Sequence, residues 1–587
     1  MKRRDFLQGA GFTGLGLRIE LGAGTDLARA FGLRTELGLP PGAKATASEG
    51  GRYNGGLGFR FTDVTNAAGI HFQHNSGAYG GKLLPETMGS GCAFLDYDRD
   101  GWQDILLVNG MDWEGHKGAP TALKLYRNNR NGTFTDVTRS AGLDLEMYGM
   151  GVAVGDYNND GFPDIFVSCV GQSRLFRNTG KGTFVEATKQ CGLLGHTGFS
   201  TSALWIDYDR DGLLDLFVCN YVRWSAEHDV FCSLDGVHKS YCTPEAYRGD
   251  TCWLFHNRGD GTFEDVTAKS GIFDSSSKSL GVAMFDYDGD GWPDLLVAND
   301  TQPNKLYKNL HNGKFKDVAV EAGLAFSADG KARAGMGVDT GEFDGSGKPG
   351  VAITNFDNEM IGLYRSVKAG VYDDVSTSAG VGLASQNTLG FGCAFLDVDL
   401  DGALDLGVVN GHIDDTVRSI RGNVGYAQAP QLFLNDGAGK FRDVAGEIGG
   451  DFAAPKVGRG LAVGDFDRDG DLDLLMTTNN GQAFLFRNDL ATGNRSVRFR
   501  MVGKKSNADG IGAVVRIYCG GVMQSRMVRG GSSYLSQSEL PVTFGVGRRD
   551  KVERVVVEWP SGRTEEFKDL ASGKEYAVTE TVGILAE

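Results

Sequence analysis

The sequence predicts an all-β chain, a seven-bladed β-propeller followed by a small β-sandwich-like domain, on three observations. An Asp-rich phrase of nine residues recurs along most of the chain. A second phrase, built on Phe, Asp and Val, keeps step with it. Glycine accounts for 88 of the 587 residues, about twice its usual share. No strict third-residue glycine period accompanies it, which excludes collagen and leaves a turn-rich β protein. A hydrophobic content of 41% and an aromatic content of 10% are enough to build packed cores, so wholesale disorder is excluded. A chain of 587 residues is too long for one ordinary core and implies several domains or one large repeat array. The formal net charge of −16 argues against nucleic acid or an anionic membrane face as partner.

In chain order, the first element is Lys2-Arg3-Arg4-Asp5-Phe6-Leu7-Gln8, followed by a Gly-rich apolar stretch from Gly9 to Leu17. This resembles a twin-arginine export signal, with Ala28-Arg29-Ala30 as cleavage site, so residues 1–30 are expected to be a signal peptide. Periplasmic or secreted localisation follows from it. Residues 31–58, which hold Pro40-Pro41 among Gly, Ala and Ser, read as linker. No later stretch approaches the roughly 18 apolar residues of a membrane span.

The repeats come next, and they fill residues 59–490. The nine-residue phrase runs from Asp96 to Asp104, Asp156 to Asp164, Asp207 to Asp215, Asp286 to Asp294, Asp397 to Asp405 and Asp465 to Asp473. A degraded copy runs from Glu342 to Gly350. First positions are 60, 51, 79, 56, 55 and 68 residues apart, a spacing that suits propeller blades. Each phrase is preceded by a small-residue strand (Gly149 to Gly155) and followed by an apolar run (Ile105 to Val108). A Leu-Tyr/Phe-x-Asn strand (Leu125 to Asn128) and a Gly-x-Phe-x-Asp-Val-Thr strand complete the unit, giving four strands, A to D. The last unit lacks its fourth strand, and an orphan copy, Phe61-Thr-Asp-Val-Thr65, precedes the first. That orphan is expected to close the ring as the outer strand of the last blade.

The phrase itself predicts calcium loops. Carboxylates at positions 1, 3, 5 and 9 converge on one centre when glycine at position 6 permits a sharp turn and position 7 offers its carbonyl. Such an all-oxygen set suits a hard cation, Ca²⁺ rather than octahedral Mg²⁺. The expected ligands are Asp96, Asp98, Asp100 and Asp104; Asp156, Asn158, Asp160 and Asp164; Asp207, Asp209, Asp211 and Asp215; Asp286, Asp288, Asp290 and Asp294; Asp397, Asp399, Asp401 and Asp405; and Asp465, Asp467, Asp469 and Asp473. A helical EF-hand is excluded, because position 12 is apolar (Leu107, Val167, Val297) and the flanks are strands. The bland alternative, metal-free Asp/Gly hairpin turns, explains six copies of the four-position pattern poorly. Six bound Ca²⁺ would bring the formal charge of −16 to about −4. The Glu342 loop ends on Gly350 instead of an acid and is expected to be empty or weak.

These repeats look like FG-GAP/VCBS repeats of the integrin α-chain type. Residues 495–587 read as a separate β domain: Gly512-Ala-Val-Val-Arg-Ile, Gly531-Ser-Ser-Tyr-Leu-Ser-Gln537, Val542-Thr-Phe-Gly-Val-Gly547 and Val555 to Gly562 resemble the ASPIC/UnbV domain of cartilage-acidic-protein-like proteins. The resemblance implies a secreted calcium-binding propeller and leaves its activity open.

A ligand is expected on the face opposite the calcium loops. Five residues past position 9 stand Asn109, Asn220, Asn299, Asn355 and Asn410, a polar ring at the channel mouth or, on the bland reading, good strand terminators. Long B–C connections at 110–122, 221–250 and 411–430 carry His412, and Glu86, Arg333 and Arg459 enter A strands from the same side. Within the 221–250 connection Cys232 and Cys242 are expected to form a disulfide in an exported chain. Two function classes stay open. One is a binding or adhesion-like module for a protein or glycan ligand, acting as a monomer. The other is an exported enzyme of carbohydrate or secondary-metabolite chemistry with its site on the loop face. Against the enzyme stand the absence of His-Glu-x-x-His, Gly-x-Ser-x-Gly and a phosphate loop.

Overall fold

The computed structural model describes residues 56–233 and 236–587; the expected export signal and most of the linker lie outside the described residues. Seven four-stranded antiparallel units follow one another around a ring. Their innermost A strands are Cys92–Leu95, Gly149–Gly155, Thr197–Ile206, Ser279–Phe285, Val338–Gly341, Gly390–Leu396 and Gly458–Gly464. Each packs against the next, and the last packs against the first. The seventh sheet takes its outer strand from the start of the chain: Phe61–Asp63 pairs with Phe484–Asn488, Phe61 opposite Asn488. Closure by an N-terminal strand leaves no blade with an open edge at the seam. Blades two and three are stitched further, because the long strand Asp164–Gln172 also pairs with the start of Thr197–Ile206.

The C-terminal domain is two four-stranded sheets. One contains Val542–Gly545, Ser496–Val502, Lys574–Thr579 and Gly583–Ala586, the other Val522–Met527, Val514–Cys519, Lys551–Glu558 and Thr564–Ala571. Its apolar interior, including Ile511, Val515 and Trp559, is continuous with the core of blades two to four around Trp205.

Between strands Val522–Met527 and Val542–Gly545 the domain sends residues 529–538 down the axis of the ring. Gly530 bridges to Trp205, Ser533 to Val338 and Gln537 to Ala93. The Gln537 side chain accepts from Val154 N at 2.7 Å and donates to Val154 O at 2.9 Å. Innermost strands of a propeller carry unpaired backbone groups toward the channel, and this segment supplies their partners. Tyr534 and Leu535 are fully buried. The Tyr534 hydroxyl donates to Met88 O at 3.1 Å, so the plug reaches the far mouth. Its fit gives the glycines of the A strands a second reason beyond a narrow axis: a Cβ on Gly91 would lie 1.7 Å from Leu535 O.

Candidate metal loops and the opposite face

Each nine-residue phrase forms the hairpin between strands A and B. Position 6 glycine and the residue at position 4 both take positive φ, as at Gly101 (86°) and Arg99 (59°), and this double reversal folds the carboxylates inward. The first aspartate is held by backbone N–H groups of positions 5 and 6 (Asp100 and Gly101 onto Asp96 at 2.9 and 3.0 Å). The ninth accepts from the N–H of the strand-C asparagine in all six full loops, at 2.7 to 2.9 Å. Acid groups from Asp96, Asp98 and Asp104, from Asp207, Asp209 and Asp211, from Asp286, Asp288 and Asp290, and from Asp397, Asp399 and Asp405 each gather within 4.8 Å.

Whether these loops fit calcium is tested by what their oxygens lack. Buried carboxylate oxygens without a hydrogen-bond partner recur there: Oδ1 of Asp98, Asp207, Asp209, Asp288, Asp465 and Asp467, and Oδ2 of Asp164. Burial pushes Asp96 up to about 6, Asp156 to about 7, and Asp207 and Asp294 to about 8. Clustered, desolvated carboxylates with free lone pairs are unfavourable as bare anions. They are the donor set a divalent hard cation takes, so the residues present fit.

Three features of these sites were not legible in the pattern. Loop seven has an acid at position 7, Asp471, buried and with Oδ1 unpartnered. In loop three His256 Nδ1 lies 3.1 Å from Asp215 and 3.5 Å from Asp209. The strand-C asparagine also has a second task. Its amide donates to the position-2 carbonyl of the preceding blade's loop at 2.7 or 2.8 Å: Asn128 to Phe466, Asn178 to Tyr97, Asn257 to Tyr157, Asn309 to Tyr208, Asn435 to Phe343 and Asn488 to Val398. The fifth blade carries Ser366 there, and the Tyr372 hydroxyl donates to Tyr287 O instead. The same blade holds the degraded loop, with Glu342 Oε1 buried and unpartnered.

The C-terminal domain sits on this acidic face. Asp509 receives Arg99 at 2.8 Å and the Asp156 N–H at 2.7 Å. Gly545 N donates to Asp397 at 3.1 Å, and Arg498, gripped by Glu539, is 3.5 Å from Asp465. A cavity of about 450 Å³ remains between the domain and the ring, lined by Asp339, Glu342, Arg526 and Arg529 together with Met284, Phe395 and Leu540.

On the opposite face the residues singled out from sequence divide into two groups. The five asparagines are buried and hydrogen-bonded to nearby backbone carbonyls: Asn109 to Gln73 O, Asn220 to Thr251 O, Asn299 to Pro303 O, Asn355 to Met360 O and Asn410 to Ala429 O. Their amides hold the loop ends in place. Arg333 turns away to pair with Asp374 at 3.2 Å. Glu86, His412 and Arg459, by contrast, converge from blades one, six and seven. Arg459 is fully buried and donates to the carbonyls of Thr87, Gly411, Gly458 and His412. Burial raises Glu86 to about 7 and lowers His412. Glu86 Oε1 and His412 Nε2 have no hydrogen-bond partner. The 221–250 connection reaches over this group: a disulfide joins Cys232 to Cys242, and Tyr241 donates to Glu86 at 3.2 Å. Lys82 stacks over Tyr241 at 4.5 Å and pairs with Asp415 at 2.9 Å; the sequence pattern does not mark Lys82 or Tyr241, although Lys82 shares the entering segment with Glu86. The tip of the connection exposes Phe231 and Val237.

Family models for FG-GAP-like repeats match residues 96–167, 166–218, 245–297, 286–353 and 417–476, and the model for ASPIC and UnbV matches residues 503–584. Human cartilage acidic protein 1 is 28% identical over 335 residues, which is 56% of this chain and 40% of that protein; the Xenopus tropicalis protein is 26% identical over 346 residues. Mouse integrin alpha-7 is 34% identical over 90 residues, 15% of this chain and 8% of that protein. The matched region thus spans about 40% of the length of the cartilage acidic proteins. Among solved structures, the BP39L lectin from Burkholderia pseudomallei superposes with a TM-score of 0.42 at 9% identity, covering 68% of this chain and 96% of the lectin.

Proposed function

The chain belongs to the FG-GAP-repeat proteins that carry a C-terminal ASPIC and UnbV domain, and from that premise we propose that it is an exported, calcium-stabilised interaction module for a protein or glycan ligand. One observation carries the reading. The acidic-loop face is occupied by the C-terminal domain and the channel by its plug, so the face with the long connections is the broad surface left for a partner. There the disulfide-stapled connection presents Phe231 (63% exposed) and Val237 (74% exposed), beside the buried polar group of Glu86 and His412. Apolar residues held on a covalently constrained loop lower the ordering cost of association. About six Ca²⁺ in the full loops would rigidify the ring beneath. Among the described residues no helix is long and apolar enough to cross a membrane.

The test pairs two sets of variants against a glycan array and a panel of exported proteins. Phe231→Asp, Val237→Asp, Glu86→Gln and His412→Ala should lose binding while retaining calcium content and melting temperature. Lys314→Ala and Arg442→Ala, on the outer rim, should bind normally. Loss in the rim set alone overturns the assignment of the face.

A second reading, an enzyme or small-molecule binder, is favoured by the cavity between the ring and the C-terminal domain, where Arg526 and the unpartnered Glu342 Oε1 meet apolar walls. A tightly held organic cofactor or transition metal in protein purified from its native host would favour it. Loss of that cofactor in Arg526→Ala would locate it in the cavity.

A further inference from the structure

We propose that Cys219 and Cys252 form a second disulfide that closes the base of the 221–250 connection, below the Cys232–Cys242 staple at its middle. Cys219 lies in strand Asp215–Asn220, and Cys252 directly precedes strand Trp253–Asn257. The strands pair with Leu216 opposite Phe255, Phe217 opposite Leu254 and Val218 opposite Trp253. One further step in that register sets Cys219 opposite Cys252. Opposed residues of an antiparallel pair hold their Cβ atoms about 4.5–5.5 Å apart, close to the separation a disulfide takes after small adjustment. The two side chains are buried, at 0% and 1% exposure, and each thiol shifts the titration of the other.

Four of the other five free cysteines have different neighbours. Cys92 faces Ser536, Cys191 the Tyr157 hydroxyl, and Cys169 and Cys519 backbone carbonyls. In the pair itself, burial pushes the Cys219 thiol up and the neighbouring Cys219 holds Cys252 below the usual thiol range, while the Cys252 thiol donates to Ser279 Oγ at 3.2 Å. With Cys252 as the attacking thiolate the exchange balances. Its sulfur attacks a sulfur of an exogenous disulfide, expelling one thiolate. Cys219 then loses its proton and displaces the second thiolate from that mixed disulfide. Two protein thiols are oxidised and one exogenous disulfide is reduced to two thiols. Access comes through local opening of the connection.

The oxidant is supplied in the test, so the inference stands apart from the export reading. Full-length protein is equilibrated with oxidised glutathione, denatured, alkylated without reductant and digested. The expected result is a peptide joined through Cys219 and Cys252, with both cysteines unalkylated, alongside the Cys232–Cys242 link. Recovery of alkylated Cys219 and Cys252 while Cys232–Cys242 is intact overturns the proposal. Melting provides a second readout: oxidation should raise the transition of the wild type and of Cys169→Ser, and should raise it less in Cys219→Ser. Equal shifts in all three overturn the proposal as well.

Discussion

At the scale of single residues, the carboxylates of the six loops are shaped by what they do not contact. Asp290 is anchored by Trp292 N–H at 2.9 Å and faces His311 at 3.0 Å, while its neighbour Asp288 leaves Oδ1 unpartnered. Asp290→Ala is expected to lower the calcium content by one ion per chain and to reduce stability by about 2–3 kcal/mol at a calcium level 100-fold above the dissociation constant. Ser346→Ala in the degraded fifth loop should change neither quantity, as read by atomic emission and calorimetry. A different residue governs pH dependence away from the acidic loops. Asp300 accepts the Tyr221 hydroxyl at 2.6 Å, yet burial, with Glu245 and Glu359 nearby, holds it up to about 7. A raised carboxylate pKa favours the folded state below the ordinary Asp value of about 4, and that contribution is lost as pH rises through about 7. In saturating calcium, Asp300→Asn should therefore flatten the fall in melting temperature between pH 4 and 7. An unchanged slope would place the proton elsewhere.

At the scale of elements, the strand Phe61–Asp63 is short but decisive. It covers the C strand of the last blade, and Phe61 stacks on Phe452 with ring centres 5.1 Å apart. Removing residues 1–55 should leave cooperative melting intact. Removing residues through Thr65 should expose Phe484–Asn488 as an open edge, giving aggregation in light scattering and a broadened transition. The strand-C asparagines are the corresponding device between blades. Each ties its own acidic loop to the loop of the blade before it, and at the fifth blade the Tyr372 hydroxyl takes that place. The Leu-Tyr/Phe-x-Asn phrase was visible as a repeat. Its role was not, because the acceptor lies in the previous blade, as Phe466 lies 338 residues from Asn128.

At the scale of the whole molecule, the C-terminal domain is part of the propeller rather than an appendage. Residues 529–538 pair with A strands of several blades and bury Tyr534 and Leu535 in the axis. Replacing residues 530–537 with a Gly/Ser linker should remove about 4–6 kcal/mol from apolar burial alone, with more lost as inner-strand N–H groups lose their partners. The measured outcome should be a fall of the main transition and accelerated hydrogen exchange at Val152, Val154 and Val338. A main transition equal to that of the intact chain would mean that the ring holds itself open without the plug. The same domain explains the division of the two faces, because its Asp509, Arg498 and Gly545 already touch the acidic loops.

The sequence by itself determined the blade count, the four-strand unit, the shared seventh blade and the six acid loops, for a physical reason common to all of them. Each is written in short-range periodicity: alternation within a strand, a glycine at a fixed turn position, four acids within nine residues. What only the tertiary structure decided depends on residues far apart in the chain. The plug is read locally as a polar Gly-Ser loop, and its meaning comes from the unpaired inner edges it meets. Asn109, Asn220, Asn299, Asn355 and Asn410 look like a ligand ring at equal register, but nearby carbonyls bind their amides. Glu86, His412 and Arg459 look like unrelated loop residues, yet ring closure brings the first blade beside the last two. Cys219 and Cys252 stand 33 positions apart and meet only because one blade's B and C strands pair in that register.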